Sequence, residues 1–457
     1  LPSLPEPFLK SLEGIPGYHR EHFLATHESG ERLTSIRLNP EKIFNPNVAS
    51  WQEEKIIPWC NQGRYLIGRP SFTTDPLIHA GAYYVQEASS MFLEMAVQQT
   101  CDLNASLRVL DLCAAPGGKS THLLSLLNQD SLLVSNEVIR QRVNVLAENI
   151  SKWGSASVVV THNDPAHFQR LPEFFDLIVV DAPCSGSGLF RKDPLAIESW
   201  SVANVDLCSQ RQQRILADVM DSLKSGGILI YSTCSYSIEE DENNADWLLQ
   251  EMQMEPFKLS IPQNAGIVET ASPRSYAPGY RFFPDKVDGE GFYLAAFKKK
   301  GMAKRADVMQ VTKDWQTVSK QAIAILQKWV QPNENISFIS WESQLLAVPA
   351  TQLNAIQQLQ KHLYIRKAGT LAGSIIRDEW IPDHDMAMNP LMKIEVPKIS
   401  LNKSDALQYL RRNVFELDTG LKGWALVQFE GINLGWIKLL PGRINNYYPK
   451  DWRILNK

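Results

Sequence analysis

The stretch Leu107-Arg-Val-Leu-Asp-Leu-Cys-Ala-Ala-Pro-Gly-Gly-Lys-Ser120 decides the fold. It opens as an apolar run rich in Val and Leu and tightens into a small, Gly-rich turn. It then passes into a helical pattern over His122–Leu127. Strand, turn and helix in that order begin a doubly wound α/β domain, whose sheet takes ligands at the carboxyl ends of its strands. The glycines let a ligand approach the backbone N–H groups at the start of the helix.

Two ligand classes fit this turn. Gly118-Lys119-Ser120 ends like a P-loop, and Leu177-Ile-Val-Val-Asp181 resembles its acidic partner strand. The P-loop pattern also requires glycine at 113, where this chain has Cys113. The alternative is a nucleoside cofactor held by an acidic residue at the end of the next strand. Leu132-Leu-Val-Ser-Asn-Glu137 supplies one, about 20 residues after the glycines. The motifs downstream favour the nucleoside.

Outward from this stretch the pattern alternates. Strands are predicted at 107–113, 132–137, 157–161, 175–181 and 226–232, and helices near 118–127, 138–152, 205–223 and 238–253. Such alternation gives a parallel sheet with helices on both faces, a Rossmann-like α/β core. Cys113, Glu137, Asp164, Asp181 and Cys234 then share its carboxyl edge. An isolated Asp before Pro165 is more often a turn cap. Its place at a third strand end assigns Asp164 to the cofactor instead.

The totals bound the rest. A length of 457 residues implies two to four domains. No apolar run reaches the roughly 20 residues that span a bilayer, and no export pattern opens the chain. The six cysteines contain no CxxC pair, so no metal is expected, and free thiols in the cytoplasm are. Net charge is −4, unevenly spread. Residues 301–457 hold 20 Lys+Arg against 14 Asp+Glu, and residues 1–300 hold 26 against 36. A basic region beside an acidic body suggests a separate module that contacts nucleic acid.

Four domains are expected: 1–78, small and α/β; 79–300, the catalytic core; 301–394, mixed and Gln-rich; and 395–457, β-rich. Arg37, in the strand-like Thr34-Ser-Ile-Arg-Leu38, is read as facing RNA or solvent. Tyr84, Gln86 and Ser89 are placed within reach of a cofactor, and the Met91/Met95 stripe in the core. Gly289-Glu-Gly291 opens a last core strand, 292–297, followed by the basic linker Lys298–Arg305 and a helix near 314–330. The region beyond 305 is expected to be separable from the cofactor site. Near the end, Gly423-Trp-Ala-Leu-Val-Gln-Phe429, Leu434-Gly-Trp-Ile-Lys438 and Arg443, Asn445, Asn446, Tyr447, Tyr448 and Lys450 interleave aromatic and basic residues. That composition suits stacking on bases and contact with phosphates.

Two further turns carry a cysteine among small polar residues: Asp181-Ala-Pro-Cys184-Ser-Gly-Ser-Gly188 and Tyr231-Ser-Thr-Cys234-Ser235. A cysteine is usually a buried structural thiol, the reading given to Cys60, Cys101 and Cys208. A nucleoside cofactor, two thiols and an acid suit methylation at C5 of a pyrimidine. That carbon is a poor nucleophile until a thiolate adds to C6 and makes the ring an enamine. An acid must stabilise charge at N3, and a base must later remove the C5 proton. Two thiols and Asp181 fit these roles, and the chemistry leaves open which thiol attacks.

Cys-Ala-Ala-Pro-Gly-Gly-Lys (113–119), Asp-Ala-Pro-Cys-Ser-Gly (181–186) and Ser-Thr-Cys-Ser (232–235) resemble the Sun-type RNA cytosine-C5 methyltransferases. The resemblance covers about residues 79–300. It implies a class I methyltransferase core using S-adenosyl-L-methionine. The donor would be held by Cys113, Ala114, Ala115, Pro116, Gly117, Gly118 and Lys119, with Glu137, Arg142, Asp164 and Asp181. It implies that Cys234 attacks C6, that Cys184 serves product release, and that Lys192 positions substrate. The domain order and the C-terminal Gly-Trp and Asn-Tyr-Tyr-Pro-Lys pattern resemble the bacterial small-subunit rRNA members, which end in a PUA-like domain. This implies 16S rRNA in the 30S subunit as partner, at the decoding region in helix 44, and a monomeric enzyme. A tRNA or 23S rRNA target is the competing expectation. From other classes, a P-loop NTPase conflicts with Cys113, and a non-catalytic assembly factor conflicts with the intact Cys184, Cys234 and Asp181.

Overall fold

The computed structural model describes residues 3–301, 316–331, 333–341, 343–417 and 419–455, so the Met302–Arg305 part of the expected linker lies outside the described residues. Helices α1 (Glu6–Ser11) and α2 (Arg20–Glu28) precede strands β1 (Thr34–Leu38), β2 (Glu53–Ile57) and β3 (Cys60–Leu66). Helix α3 (Pro76–His79) leads into β4 (Tyr83–Val85), and the sheet runs β2-β3-β1-β4. β4 falls beyond the expected division at 78/79 yet pairs with β1, Ile36 opposite Val85.

Arg37 corrects its reading: it faces neither RNA nor solvent and is fully buried. Its Nε donates to Gln86 Oε1 at 2.9 Å and its Nη2 to Thr121 Oγ1 at 2.6 Å, with the guanidinium over the Trp153 ring. A guanidinium is buried only when its donors are matched, and these partners tie the N-terminal sheet to the helix after the Gly-rich turn.

The core follows α4 (Leu93–Thr100). Strands β5 (Arg108–Asp111), β6 (Leu132–Asn136), β7 (Val158–Thr161), β8 (Phe175–Asp181) and β9 (Leu223–Thr233) are parallel in the order β7-β6-β5-β8-β9. Helices α5 (Gly118–Leu126), α6 (Arg140–Trp153), α7 (Pro194–Ser199), α8 (Val202–Met220) and α9 (Glu242–Glu251) connect them or follow β9. Val158–Val160 and Leu177–Val180 are wholly buried, as a parallel sheet covered on both faces requires. The sheet is nevertheless mixed. Strands β10 (Met254–Phe257), β11 (Val268–Ala271), β12 (Pro278–Phe282) and β13 (Phe292–Lys299) extend it beyond β9, and β13 runs antiparallel to β9 with Tyr293 opposite Thr233. No helix separates these four strands, so the crossover that parallel pairing needs is missing among them.

Residues 316–394 are more than a linker. β14 (Gln316–Thr317), α10 (Lys320–Leu326), β15 (Ile336–Trp341), β16 (Gln344–Pro349), α11 (Leu353–His362), β17 (Ile365–Ala368), β18 (Thr370–Ile376), β19 (Glu379–Pro382) and α12 (His384–Met388) follow in turn. A five-stranded sheet takes the order β14-β15-β16-β18-β19. β17 leaves it and pairs antiparallel with β7, Ala368 opposite Val159, on the edge of the catalytic sheet. Leu346, Val348, Ile356 and Leu359 share one core with Leu132, Val134 and Val159. The region beyond 305 is therefore not separable as expected: removing it would uncover the β7 edge and that core.

The last segment holds β20 (Lys398–Ser400), α13 (Lys403–Arg411), β21 (Gly423–Phe429), β22 (Ile432–Leu440) and β23 (Arg443–Asn446). Its core merges with that of the N-terminal sheet, Tyr409, Leu434 and Tyr448 lying with Ile36, Leu77 and Tyr83. Most aromatics expected to stack on bases are inside. Trp436 and Tyr448 are fully buried and Trp424 nearly so, leaving Tyr447, 40% exposed, as the outward ring among them. Strand alternation sends every second side chain inward, and aromatic rings are what such a small core needs. Among the described residues, no helix is long and apolar enough to cross a membrane.

Candidate active site

The Gly-rich turn lies between β5 and α5, as its strand–turn–helix pattern predicts. Gly117, at the helix N-cap, takes φ +116°, a left-handed conformation open to glycine, and no side chain caps the helix. The first N–H groups of α5 are left for a ligand. The turn is braced from behind: Ala114 N–H donates to Asn136 O at 2.8 Å, Arg142 Nη2 to Ala115 O at 2.5 Å and Asn149 Nδ2 to Pro116 O at 2.8 Å. Asp111 lies beneath, fully buried; burial pushes its carboxyl up to about 7, and Ser120 Oγ donates to it at 2.7 Å. Burial also pushes up the Cys113 thiol, which suits a residue contributing its backbone.

Glu137 follows β6 and is almost fully buried. Its Oε1 accepts from Ile139 N–H at 2.9 Å, and Arg142 Nη1 lies 3.4 Å from Oε2. Asp164 follows β7, exposed, and does what an Asp before proline ordinarily does: it caps the next turn, accepting from Ala166 N–H at 3.0 Å. The residues fit a nucleoside donor: an uncapped helix start, a glycine cradle and two carboxylates at successive strand ends. Tyr84 is near this cradle, a Cβ on Gly118 meeting its ring at 3.4 Å. Gln86 is engaged with Arg37, and Ser89 is buried, donating to Glu290 O at 2.8 Å, so neither is free for a cofactor as expected.

The two cysteine turns close over the ends of β8 and β9. Cys184 Sγ and Cys234 Sγ lie 2.9 Å apart, both as free thiols. The hydrogen bond to Cys234, then burial, pushes the Cys184 thiol well above its usual range, so Cys184 keeps its proton at rest. Asp181 stands beside them, its Oδ2 2.8 Å from Lys119 Nζ and its Oδ1 accepting from Ser232 Oγ at 2.8 Å. Lys119, expected on the cofactor, is thus paired with the carboxylate expected to act on the base. Lys192 is half-buried, and its charge acts on Glu290, whose carboxyl burial pushes up. Gly188 permits the contact between turns: a Cβ there would meet Gly291 O at 2.4 Å and Cys234 O at 2.8 Å.

Two features escaped the sequence reading. Glu240, in Ile238-Glu-Glu-Asp-Glu-Asn243, is fully buried behind both cysteine turns. The run looked like an acidic helix start, and no local signal marked three of its four acids, Glu240, Asp241 and Glu242, as interior. Cys60, taken as structural, joins Glu94 and His122 in a buried trio. Cys60 Sγ and His122 Nε2 each meet Glu94 Oε2, at 3.1 and 3.0 Å, and burial lowers the imidazole to about 4. Elsewhere, Arg140, Val143, Asn144, His162, Tyr364 and Arg366 line an open groove of about 590 Å³ where β17 meets β7, with no acidic residue in its wall. A wider groove of about 1460 Å³ lies in the last segment, bordered by Arg412, Arg443, Tyr447 and Lys450, and none of its lining comes from the core.

A parallel sheet with an antiparallel extension, a glycine cradle, an acidic strand end and two thiols on neighbouring strand-end turns define an S-adenosylmethionine-dependent methyltransferase of class I. Comparison with known proteins narrows this. Residues 99–298 match the family described as 16S rRNA methyltransferase RsmB/F, residues 4–88 the N-terminal domain of 16S rRNA methyltransferase RsmF, and residues 396–454 the methyltransferase RsmF PUA domain. Ribosomal RNA small subunit methyltransferase F of Shewanella piezotolerans is 27% identical, covering 97% of this chain and 96% of its own length. The protein of that name from Pectobacterium atrosepticum is 34% identical over 65% of this chain and 63% of its own. A methyltransferase homologue from Pyrococcus horikoshii, solved as a crystal structure, superposes with a TM-score of 0.51 at 28% identity, over 65% of this chain and 100% of its own. The chain belongs to the RsmB/F family of 16S rRNA methyltransferases. It is an RNA cytosine-C5 methyltransferase, and its family uses S-adenosylmethionine.

Proposed function

We propose that this enzyme methylates C5 of a specific cytosine of 16S rRNA, in helix 44 of the decoding region, through a covalent bond between Cys234 and C6. The observation that carries the reading is the contact between the two thiols beside Asp181. S-adenosylmethionine, when bound, supplies the methyl group. The 113–119 turn, Glu137, Arg142, Asp164 and Asp181 would hold it, and Lys192 would position the base.

The protein's own steps follow from the thiols. We assign the attack to Cys234, which adds to C6, while Lys119, held by its ion pair with Asp181, offsets the negative charge that develops at N3. C5 is then electron-rich, ready for the methyl group that the bound donor would supply, itself leaving as S-adenosylhomocysteine. The sulfur of Cys234 is then bonded to carbon, so the contact that most strongly held the Cys184 proton weakens. Cys184 can now lose its proton to solvent, take up the C5 proton in its place and let the C6–S bond break, returning the thiolate to Cys234. A base buried in a duplex must first be flipped out to reach these turns.

Placement on the RNA falls to the basic residues beyond 300. The acid-free groove of Arg140, Arg366 and the 64%-exposed Tyr364 offers charge and a stacking ring on the core itself. Free thiols and an rRNA substrate support a cytoplasmic enzyme, which we read as a monomer acting on the 30S subunit. Bisulfite mapping of rRNA from a strain lacking the gene tests the target. Loss of one 16S methylcytosine is expected, and loss confined to tRNA or 23S rRNA would replace this reading by its competitor.

A further inference from the structure

One carboxylate joins the two cysteine turns. Glu240 Oε1 accepts from Ser185 N–H at 2.8 Å and from Gln212 Nε2 at 3.0 Å; its Oε2 accepts from Ser185 Oγ at 2.5 Å and from Ser235 Oγ at 2.6 Å. Ser185 follows Cys184 in the chain and Ser235 follows Cys234. The four donors come from the turn after β8, the turn after β9 and helix α8. Glu240 itself is held by its own backbone, its carbonyl accepting from Tyr231 Oη at 2.5 Å and from Asn244 Nδ2 at 3.2 Å. It is completely buried and has no cationic partner among the described residues, so the four hydrogen bonds are its compensation for leaving water.

We propose that Glu240 is the positioning residue of the reaction: it clamps Ser185 and Ser235 to one carboxylate and so sets the distance between the attacking and the releasing thiol. Separate turns on separate strands have no covalent reason to bring two sulfurs into contact. Charge-assisted hydrogen bonds to both neighbours of those sulfurs supply one, and geometry must be held to about half an ångström for such chemistry to stay efficient. The negative charge also acts on Cys184, in the direction that keeps its proton in place. The inference rests on the proposed division of labour between the thiols.

The test measures the spacing directly. Diamide, an oxidant, takes two electrons and two protons from a pair of adjacent thiols, joining the sulfurs, and becomes the hydrazine. In the full-length wild-type protein it should convert Cys184 and Cys234 to an internal disulfide, read as two fewer alkylatable thiols. Glu240→Gln, which replaces two acceptors with one acceptor and a donor, should slow that conversion about tenfold. It should lower the single-turnover methylation rate about tenfold while leaving cofactor affinity within twofold. A variant that was merely less stable would form the disulfide no more slowly. Should Glu240→Gln fail to fold, the Ser185→Ala/Ser235→Ala pair removes two of the four bonds and should slow both readouts by a smaller factor. Unchanged disulfide formation and unchanged turnover in the folded variant would overturn the clamp. Cys184→Ala separates the two ideas: without a trapped protein–RNA conjugate the division of labour fails, whatever the diamide rates show.

Discussion

The catalytic edge of the sheet and the last segment were both singled out by residues that looked functional, and they fold to opposite ends. At the edge, Cys184, Cys234, Asp181 and Glu137 remain at strand ends, partnered but directed to one site. In the last segment, Trp424, Trp436 and Tyr448 turn inward and leave Tyr447 outside. A residue placed by topology keeps its position, because the carboxyl end of a strand in a covered parallel sheet is where side chains cannot pack into the core. A residue noted for its type in a strand of a small domain is as easily consumed by the core.

The sharpest break of that comparison is at the thiols. Cys234→Ala should lower methyl transfer by roughly a thousandfold or more, about 4 kcal/mol of barrier, and trap no RNA. Cys184→Ala should accumulate a conjugate that survives denaturing gels, and the double variant should show none. Trapping by Cys234→Ala instead would exchange the two roles.

On the other side of the comparison, Trp436→Ala should cost about 3–5 kcal/mol of stability, as for any large buried ring. Tyr447→Ala should change stability by less than about 0.5 kcal/mol and weaken RNA binding by about 1–3 kcal/mol if its ring stacks on a base. Thermal unfolding and filter binding of both variants measure this contrast, and equal stability losses would show that Tyr447 belongs to the core.

The seam between the last segment and the N-terminal sheet should be sensitive to acid. Burial lowers His27, His79 and His122 to about 4 and His384 to about 3, against 6.5 unfolded. Between pH 6.5 and 4 the unfolded chain binds more of these protons, so stability falls as pH falls. Burial raises Asp111 and Asp383 to about 7, which works the other way, since the folded state then holds protons that the unfolded state has released. Four histidines against two carboxyls leave a net loss of roughly 5–7 kcal/mol between pH 7 and 4. His79 and His384 meet Tyr448 at the seam, so Tm measured from pH 7 to 4 should fall less in His384→Phe. A flat profile would contradict the neutral, buried state of these rings.

Smaller effects probe the cofactor and the RNA. Glu137→Ala should weaken S-adenosylmethionine binding by about 1.5–3 kcal/mol, the size of lost charged hydrogen bonds, and unchanged calorimetry would remove it from the site. Arg443→Ala, in the groove of the last segment, should lower the salt slope of RNA binding by about 1, with little change in stability. An unchanged slope would leave the 590 Å³ groove on the core as the stronger candidate for the phosphates.

Much of this site is readable from a linear chain because its information is local. A strand, a Gly-rich turn and a helix announce themselves within 14 residues, and the order of the strands follows from their alternation with helices. Cys113–Lys119, Glu137, Asp181, Cys184 and Cys234 are therefore assigned to one edge by the sequence alone. What lay beyond reach depended on partners far away in sequence. Ile365-Arg-Lys-Ala368 is short and half polar, and becomes a strand of the catalytic sheet because β7 offers it an open edge. Arg37 is charged, and is buried because Gln86, Thr121 and Trp153 converge on it from three other elements. Glu240 is one acid in a run of four, and is interior because Ser185, Gln212 and Ser235 arrive there together. Local pattern determines which element a residue belongs to and which end of it. Whether a polar or aromatic side chain faces water or the interior is decided by long-range pairing, because the free energy of burying it depends on which partners the rest of the chain brings to it.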